Sequence, residues 1–588
     1  MNSCWNPERI CVLGTCAVFD FDFSREAFRS LRNKGFDAIV FGYLDANWDG
    51  EFSRVDMYAH SDFLPDMIPA DRIAANQKEL RRRIDLAAEE GLRVYMSVRG
   101  PMTLTDLEQE NPAAAEKYRH LFGTGGDKWG GSGMKPMCLS EKVVRDHYRA
   151  LFRDVENHFP DLAGFMFFGG DSHSLVCDQT CPKCGKTPEY LRWGEWINEL
   201  HSDAKQEGSA LRFEIMNWPW WDDMFDMIEH IDTDIGVVAI TNWGFKYGNR
   251  DDGKYPAAIE PWECAEYQSD CLRVPVTDHG TALGLTQGWF NAPISDSFIR
   301  LANRCREQGR KLVGWTELIC SEAVWPYFLP SPATTVQRLD QLRELGVEGV
   351  FDLWGVAADI VYDRKKDANT TAFTQFFAKP GQTVDEVLLE TARTLYGDAG
   401  AQWAVKAWYE VDDALSRWAI IGYTQRMHWT LRRLFTKLTC SFYVLNLTLD
   451  REKDENLHFI PMWPEFLLHA EVWDKLKESL SVVIAGYDRA LGCYDRLKAA
   501  ASGEEKQTAA FHQDCLLLGR TYHQLGYEAC IYHASGIRKQ PLDPEFMRSA
   551  VLTRRLCRML YDSLKVVPTE SELDELLADM SEYIANFK

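Results

Sequence analysis

The sequence predicts an α/β fold, a (β/α)8 TIM barrel followed by an all-α C-terminal helical domain, from three observations. From the N-terminus to about residue 380, eight short runs rich in β-branched and aromatic residues alternate with amphipathic stretches. No glycine-rich phosphate loop follows the first run, as a doubly wound sheet would need. Past about residue 383 the strand signal stops and helical periodicity takes over. The expected division is 1–380 for the barrel and 381–588 for a helical bundle.

The first strand is expected at 10–18 (ICVLGTCAV), an unbroken apolar opening of the kind that a strand buried on both faces requires. A helix at 24–34 follows, opened by Ser24, then a second strand at 37–44 (DAIVFGYL). The next pair is a helix at 72–90, with Asp71 at its start, and a strand at 92–98 (LRVYMSV). Ser140 opens a helix at 140–158, and the fourth strand is read at 162–169 (LAGFMFFG). Pro188 starts a helix at 188–207, before a strand at 211–217 (LRFEIMN). Asp222 starts one at 222–230, before a sixth strand at 235–241 (IGVVAIT). A helix at 295–308, a strand at 311–317 (KLVGWTE), a helix at 333–345 and a strand at 348–354 (EGVFDLW) complete the set. The connection at 243–294 is too long to be bare, and Leu272-Arg273-Val274-Pro275-Val276 within it could be a barrel strand that shifts the count by one. In the C-terminal part, Phe511, Cys515, Leu518, Tyr522 and Leu525 follow helical spacing, and Gly503, Gly536 and Pro541 punctuate a bundle expected to hold about five to seven helices.

At 588 residues the chain exceeds what one core usually supports, and its 46% hydrophobic content is ample for packing. Its 65 Lys plus Arg against 88 Asp plus Glu give a formal charge of -23, which repels nucleic acid. The start, Met1-Asn2-Ser3-Cys4-Trp5, lacks the pattern of a signal peptide, and no apolar span reaches membrane length. A cytoplasmic protein with no nucleic-acid or membrane partner is expected, and a homo-oligomer is permitted. Sixteen cysteines, many inside apolar runs, read as reduced packing residues.

Polar residues fall at the expected C-terminal strand ends: Asp45, Arg99, Asp171, Asn217, Asn242, Glu317 and Asp352. In α/β barrels this is where catalytic groups sit. A carboxylate there can equally cap a helix or pair with an arginine. Cleaving a glycosidic bond takes two carboxyl groups, one to protonate the leaving oxygen and one to act as nucleophile or to activate water. Asp171, after the run Phe165-Met166-Phe167-Phe168-Gly169-Gly170, and Glu317 are the preferred catalytic pair. Asp45, Arg99, His173, Asn217, Asp278 and Asp352 are candidate substrate ligands. Among the twenty tryptophans, Trp48, Trp218, Trp220, Trp221, Trp243, Trp289, Trp315, Trp325 and Trp354 lie near strand ends, where indole can stack on sugar C–H faces. About half of these nine are expected to be packing residues; Trp218, Trp243 and Trp354 are the candidate substrate contacts.

Cys177, Cys181 and Cys184 follow Asp171 in a Cys-x3-Cys-x2-Cys run with Pro182 and Gly185 forming a knuckle. Three thiolates so spaced can hold a structural zinc with a fourth ligand from His173 or elsewhere. The same spacing serves the cluster of radical S-adenosylmethionine enzymes, but there it follows the first strand of a barrel rather than the fourth. No cofactor is expected for catalysis.

The stretch Gly169-Gly170-Asp171 resembles the Gly-Gly-Asp-Glu signature of glycoside hydrolase family 20, the β-N-acetylhexosaminidases, with Ser172 at the position of that family's general acid. The resemblance implies an exo-acting enzyme on 2-acetamido sugars in which Asp171 orients the substrate's acetamido group. It also implies that Glu317 or His173 replaces the missing acid. The placement of Asp171 and Glu317 on strands four and seven resembles that of retaining barrel glycosidases. A barrel running straight into helices is similar to α-glucuronidase barrels and to bacterial families with a Cys-Pro-x-Cys loop after strand four. Two other readings stay open, a catalytically inactive sugar-binding barrel and a metal-dependent enzyme using the cysteine loop.

Overall fold

The computed structural model describes residues 5–13, 23–41, 54–124, 135–168, 176–177, 180–184, 187–216, 224–241, 294, 296–316, 329–352, 367–416 and 470–564. Its strands are β1 (Glu8–Leu13), β2 (Ala38–Phe41), β3 (Arg93–Val98), β4 (Leu162–Phe167), β5 (Arg212–Met216), β6 (Gly236–Ile240), β7 (Leu312–Thr316) and β8 (Gly349–Asp352). They form a closed barrel in sequence order. Every pairing is parallel, and β8 returns to β1 with Glu8 opposite Gly349 and Cys11 opposite Asp352. Since β6 pairs directly with β7, no strand from the long connection is needed between them.

The helices between strands are α1 (Arg25–Asn33), α2 (Ala70–Glu89), α3 (Leu104–Glu110), α4 (Pro112–Tyr118), α5 (Lys142–His158), α6 (Glu189–Gln206), α7 (Met224–His230), α8 (Asp296–Gln308) and α9 (Pro332–Leu345). Several show a clear local reason to start or stop. The Ser24 hydroxyl accepts the Ala27 N–H at 3.1 Å to open α1. Gly346, at φ 67°, supplies the left-handed residue that ends α9 and turns the chain into β8. The pair α3 and α4, seven residues each, lies in the connection between β3 and α5, where the sequence pattern predicts no helix. Their caps define them: Thr103 and Asp106 form a reciprocal capping box, and Asn111 accepts the Ala114 N–H.

The faces of the strands follow from one long-range cluster. Glu8 receives hydrogen bonds from Tyr95 at 2.9 Å, Arg212 at 2.9 Å and Lys311 at 2.8 Å, side chains that come from β3, β5 and the start of β7. Non-adjacent strands can meet only inside the barrel, so the Glu8 face is the lumen and its N-terminal end carries a charged floor. By alternation Ile10 is inward and Cys11 outward, and in register Phe351 is inward and Asp352 outward. The outer face of β4 and β5 is covered by aromatic rings. Phe152 of α5 lies 4.7 Å from Phe165, and Phe167 lies 5.6 Å from Phe213, with Trp196 of α6 alongside. A strand buried on both faces in this way has to be apolar throughout, which is why β4 was legible.

After β8 come α10 (Ala368–Ala378), α11 (Val384–Ser416), α12 (Ala470–Ala500), α13 (Gly503–Arg538) and α14 (Pro544–Leu564). Asp367 caps α10 by accepting the Thr370 N–H at 2.6 Å, and α10 packs beside the turn after α1 through the stacked Phe36 and Phe373 rings. The expected domain boundary at 380/381 falls in the turn between α10 and α11. The later helices are joined by a buried polar chain, in which Tyr396 contacts His512 at 2.6 Å and Tyr494 at 3.3 Å, and Trp408 donates to Tyr494 at 3.2 Å. On the expected helix face, Cys515 and Leu518 are buried in this core. Among the described residues, no helix is long and apolar enough to cross a membrane.

Candidate active site

With eight parallel strands in a closed barrel, all C-terminal ends open on one mouth. Strand β4 ends at Phe167 and β7 at Thr316, so Asp171 and Glu317 follow these ends closely in the chain. Asp45, Asp171, His173, Asn217, Trp218, Trp243, Asp278, Glu317 and Trp354 lie outside the described residues. Arg99 is half-buried immediately past β3, two residues beyond Ser97, whose buried hydroxyl is on the lumen face opposite Met166.

Asp352 stands elsewhere. Its side chain is fully buried and belongs to the outward face of β8, between sheet and helices, beside Cys11, Asp367 and the Lys34 ammonium that follows α1. Burial drives Lys34 down to about 8, against the pull of the Cys11, Asp367 and Asp352 charges. A sugar entering the mouth would not meet this carboxyl, so the expected ligand role of Asp352 gives way to a structural one. Trp315 is likewise a packing residue, 3% exposed and edge-on to Phe351 at 5.7 Å inside the barrel.

At the barrel's opposite end, two carboxyls of the floor share one lysine. Lys311 lies 2.8 Å from Glu8 and 2.5 Å from Glu214. Burial works to raise Glu8, but Lys311, Arg93 and Arg212 outweigh it and hold its carboxyl low. Glu214 is buried more deeply, and there burial prevails and pushes the carboxyl up. Ionic residues on this N-terminal face serve stability rather than chemistry.

The cysteine loop after β4 is where sequence reasoning was incomplete. Cys177, Cys181 and Cys184 come together with a fourth thiol, Cys138, and all four sulfurs lie within 4.8 Å of one another. All four are free thiols. They are 0% to 8% exposed and form a cluster of their own, apart from the main apolar core. Cys138 is held at the edge of a small bridged hairpin. Its N–H donates to Leu121 O at 2.9 Å, while Met137 N–H donates to Met102 O and Gly123 N–H to Pro136 O. On the other side, Arg192 of α6 donates to the carbonyl oxygens of Cys177 and Thr187. Donation from the Cys177 thiol holds Cys138 down at about 5, and the same contact pushes Cys177 up. Burial works to raise Cys181, but backbone hydrogen bonding from Thr124, Lys183 and Cys184 holds it low. Nothing local marks Cys138, which stands between the apolar Met137 and Leu139.

No protein-family model and no curated protein matches the sequence. Among solved structures, the chain is similar to a GH138 enzyme targeting pectin rhamnogalacturonan II, with a TM-score of 0.53 at 11% identity over 95% of this chain and 62% of that one. An O-GlcNAc hydrolase of Thermobaculum terrenum gives a TM-score of 0.39 at 10% identity over 98% and 94% of the two chains. A GH115 4-O-methyl-α-glucuronidase gives 0.41 at 10% identity over 97% and 60%. The last two likenesses extend to no detail of chemistry. The chain spans about three fifths of the length of the GH138 enzyme, and at 11% identity what the two share is the fold. The family 20 resemblance of Gly169-Gly170-Asp171 gains no separate support from these likenesses. The likeness to the GH138 enzyme, the one of these three with a TM-score above 0.5, is a likeness of fold alone.

Proposed function

We propose that the protein is a glycosidase that works at the C-terminal mouth of its barrel, with Asp171 and Glu317 as the two carboxyl groups. Its substrates are small glycans or glycosides with a 2-acetamido sugar at the cleaved, terminal position. The observation that carries this reading is the strand register. Because β4 ends at Phe167 and β7 at Thr316, both acids come just past strand ends that open on the same mouth. Gly169 and Gly170 put no side chain between Phe168 and Asp171 in the chain.

Two chemistries fit this pair. In one, Glu317 and Asp171 divide the roles of acid and nucleophile. In the other, which the Gly-Gly-Asp resemblance favours, the substrate's acetamido oxygen attacks the anomeric carbon, Asp171 orients and stabilises that group, and Glu317 or His173 protonates the leaving oxygen. Trp218, Trp243 and Trp354 would stack on the ring.

The test is hydrolysis of a panel of aryl glycosides by the full chain. Turnover is expected with 2-acetamido substrates, falling when the acetamido group is fluorinated or replaced by hydroxyl. Folded protein that binds 2-acetamido sugars and cleaves none of the panel would contradict the enzyme reading. It would favour the inactive sugar-binding barrel to which Ser172 points.

A further inference from the structure

We propose that Cys138, Cys177, Cys181 and Cys184 bind one structural Zn2+ as a closed four-thiolate site that ties two loops of the barrel's catalytic face together. The proposal stands on geometry and is independent of the glycosidase reading. A zinc with four sulfurs at about 2.3 Å in a tetrahedron sets neighbouring sulfurs about 3.8 Å apart. The Cys138 sulfur lies 4.0 Å from that of Cys181 and 3.4 Å from that of Cys184, which brackets this spacing. Both separations are far beyond a sulfur–sulfur bond of about 2.05 Å.

The surroundings suit thiolates. The knuckle is tight, with the Cys184 N–H donating to the Cys181 carbonyl at 3.3 Å, and polar groups of Thr124, Ser140 and Lys183 stand beside the sulfurs. Such polar groups compensate negative charge on sulfur and orient the ligands. The Lys183 ammonium stands close by, 2.7 Å from Glu141, and adds positive charge near Cys138 and Cys181. Space for this approach comes from Gly123: a Cβ there would lie 2.2 Å from the Cys177 sulfur and 3.0 Å from that of Cys181. Only glycine lets the hairpin strand run so close to two sulfurs.

Four protein ligands fill a tetrahedral zinc, so no position remains for water or substrate, and the role is structural. Cys138 supplies the fourth ligand, and His173 is not required. The metal would join the hairpin between β3 and α5 to the segment between β4 and α6, the segment that also contains Asp171.

The experiment is metal analysis of the purified full chain after extensive dialysis. One zinc per chain is expected, reduced to near zero in Cys138→Ser and in Cys184→Ser, and unchanged in Cys305→Ser, a buried free thiol outside the cluster. Cobalt-loaded protein should show the intense sulfur-to-metal absorption of four thiolates. If the ligand variants do not fold, mercurial titration of the wild-type chain still decides, with one zinc released as these four thiols are consumed. Protein without metal whose four thiols titrate freely would overturn the proposal. So would iron in place of zinc, or full zinc occupancy in Cys138→Ser.

Discussion

The sulfur of Cys138 lies 3.4 Å from that of Cys184, although 46 positions separate them in the chain. The contact closes a large loop containing α5 and β4, and it depends on hairpin geometry rather than on local spacing. Gly123 is the position that tests this most directly. Gly123→Ala forces a methyl into the cluster and should cost about 1–3 kcal/mol, the range for overpacking a tight interior. Chemical denaturation checks this, with Gly492→Ala as control, since a Cβ at Gly492 meets nothing within 4 Å.

Removing the lysine from the barrel floor should be far more damaging than removing the charge that it serves. Lys311→Met leaves the Glu8 and Glu214 carboxyls buried without their shared cation, and losing one partner of a buried ion pair typically costs about 3–5 kcal/mol. Adding Glu214→Gln to that variant should recover a large part of the loss, because Arg93 and Arg212 still serve Glu8. Equal stability of single and double variants by denaturant titration would show that the floor is not coupled in this way.

Lys34 gives a pH signature. Its folded value is about 8, set by burial against the pull of Cys11, Asp367 and Asp352, whereas an unfolded lysine titrates near about 10.4. Between these values the unfolded chain holds a proton that the folded chain has released, so this group makes stability rise with pH across the window. Below about 8 both states are protonated, and the full penalty of a buried ammonium is present. The stability difference between wild type and Lys34→Met should therefore shift in favour of wild type as pH goes from about 8 toward about 10. A flat difference would remove Lys34 as its source.

The strands were legible from their largely apolar runs, such as Phe165, Met166 and Phe167, which a strand covered on both faces needs, while the charged floor residues Glu8, Arg93, Arg212 and Glu214 interrupt β1, β3 and β5 on the lumen face. Other features were hidden for physical reasons. Asp352 could be placed at a strand end but not on a face, since a shift of one residue in register exchanges lumen for outer layer. The Glu8 cluster across the barrel fixes that parity. Cys138 escaped because a local cysteine pattern carries no information about a thiol on another loop. Trp315 looks like a rim residue by position, and its burial against Phe351 appears only once the barrel closes.

The measurement that bears most directly on the proposed chemistry is kcat/KM of Asp171→Asn and Glu317→Gln on a 2-acetamido glycoside cleaved by the wild type. Loss of a carboxyl that acts on the reacting atoms costs several orders of magnitude in rate, whereas loss of a helix cap costs about 1 kcal/mol of stability. Each variant should therefore lose turnover with little change in Tm. Azide should restore cleavage to Glu317→Ala if Glu317 is one of the reacting carboxyls, with the glycosyl azide reporting its role. Near-normal kcat/KM in both variants would contradict the assignment and pass the roles to Asp45 and Asp278.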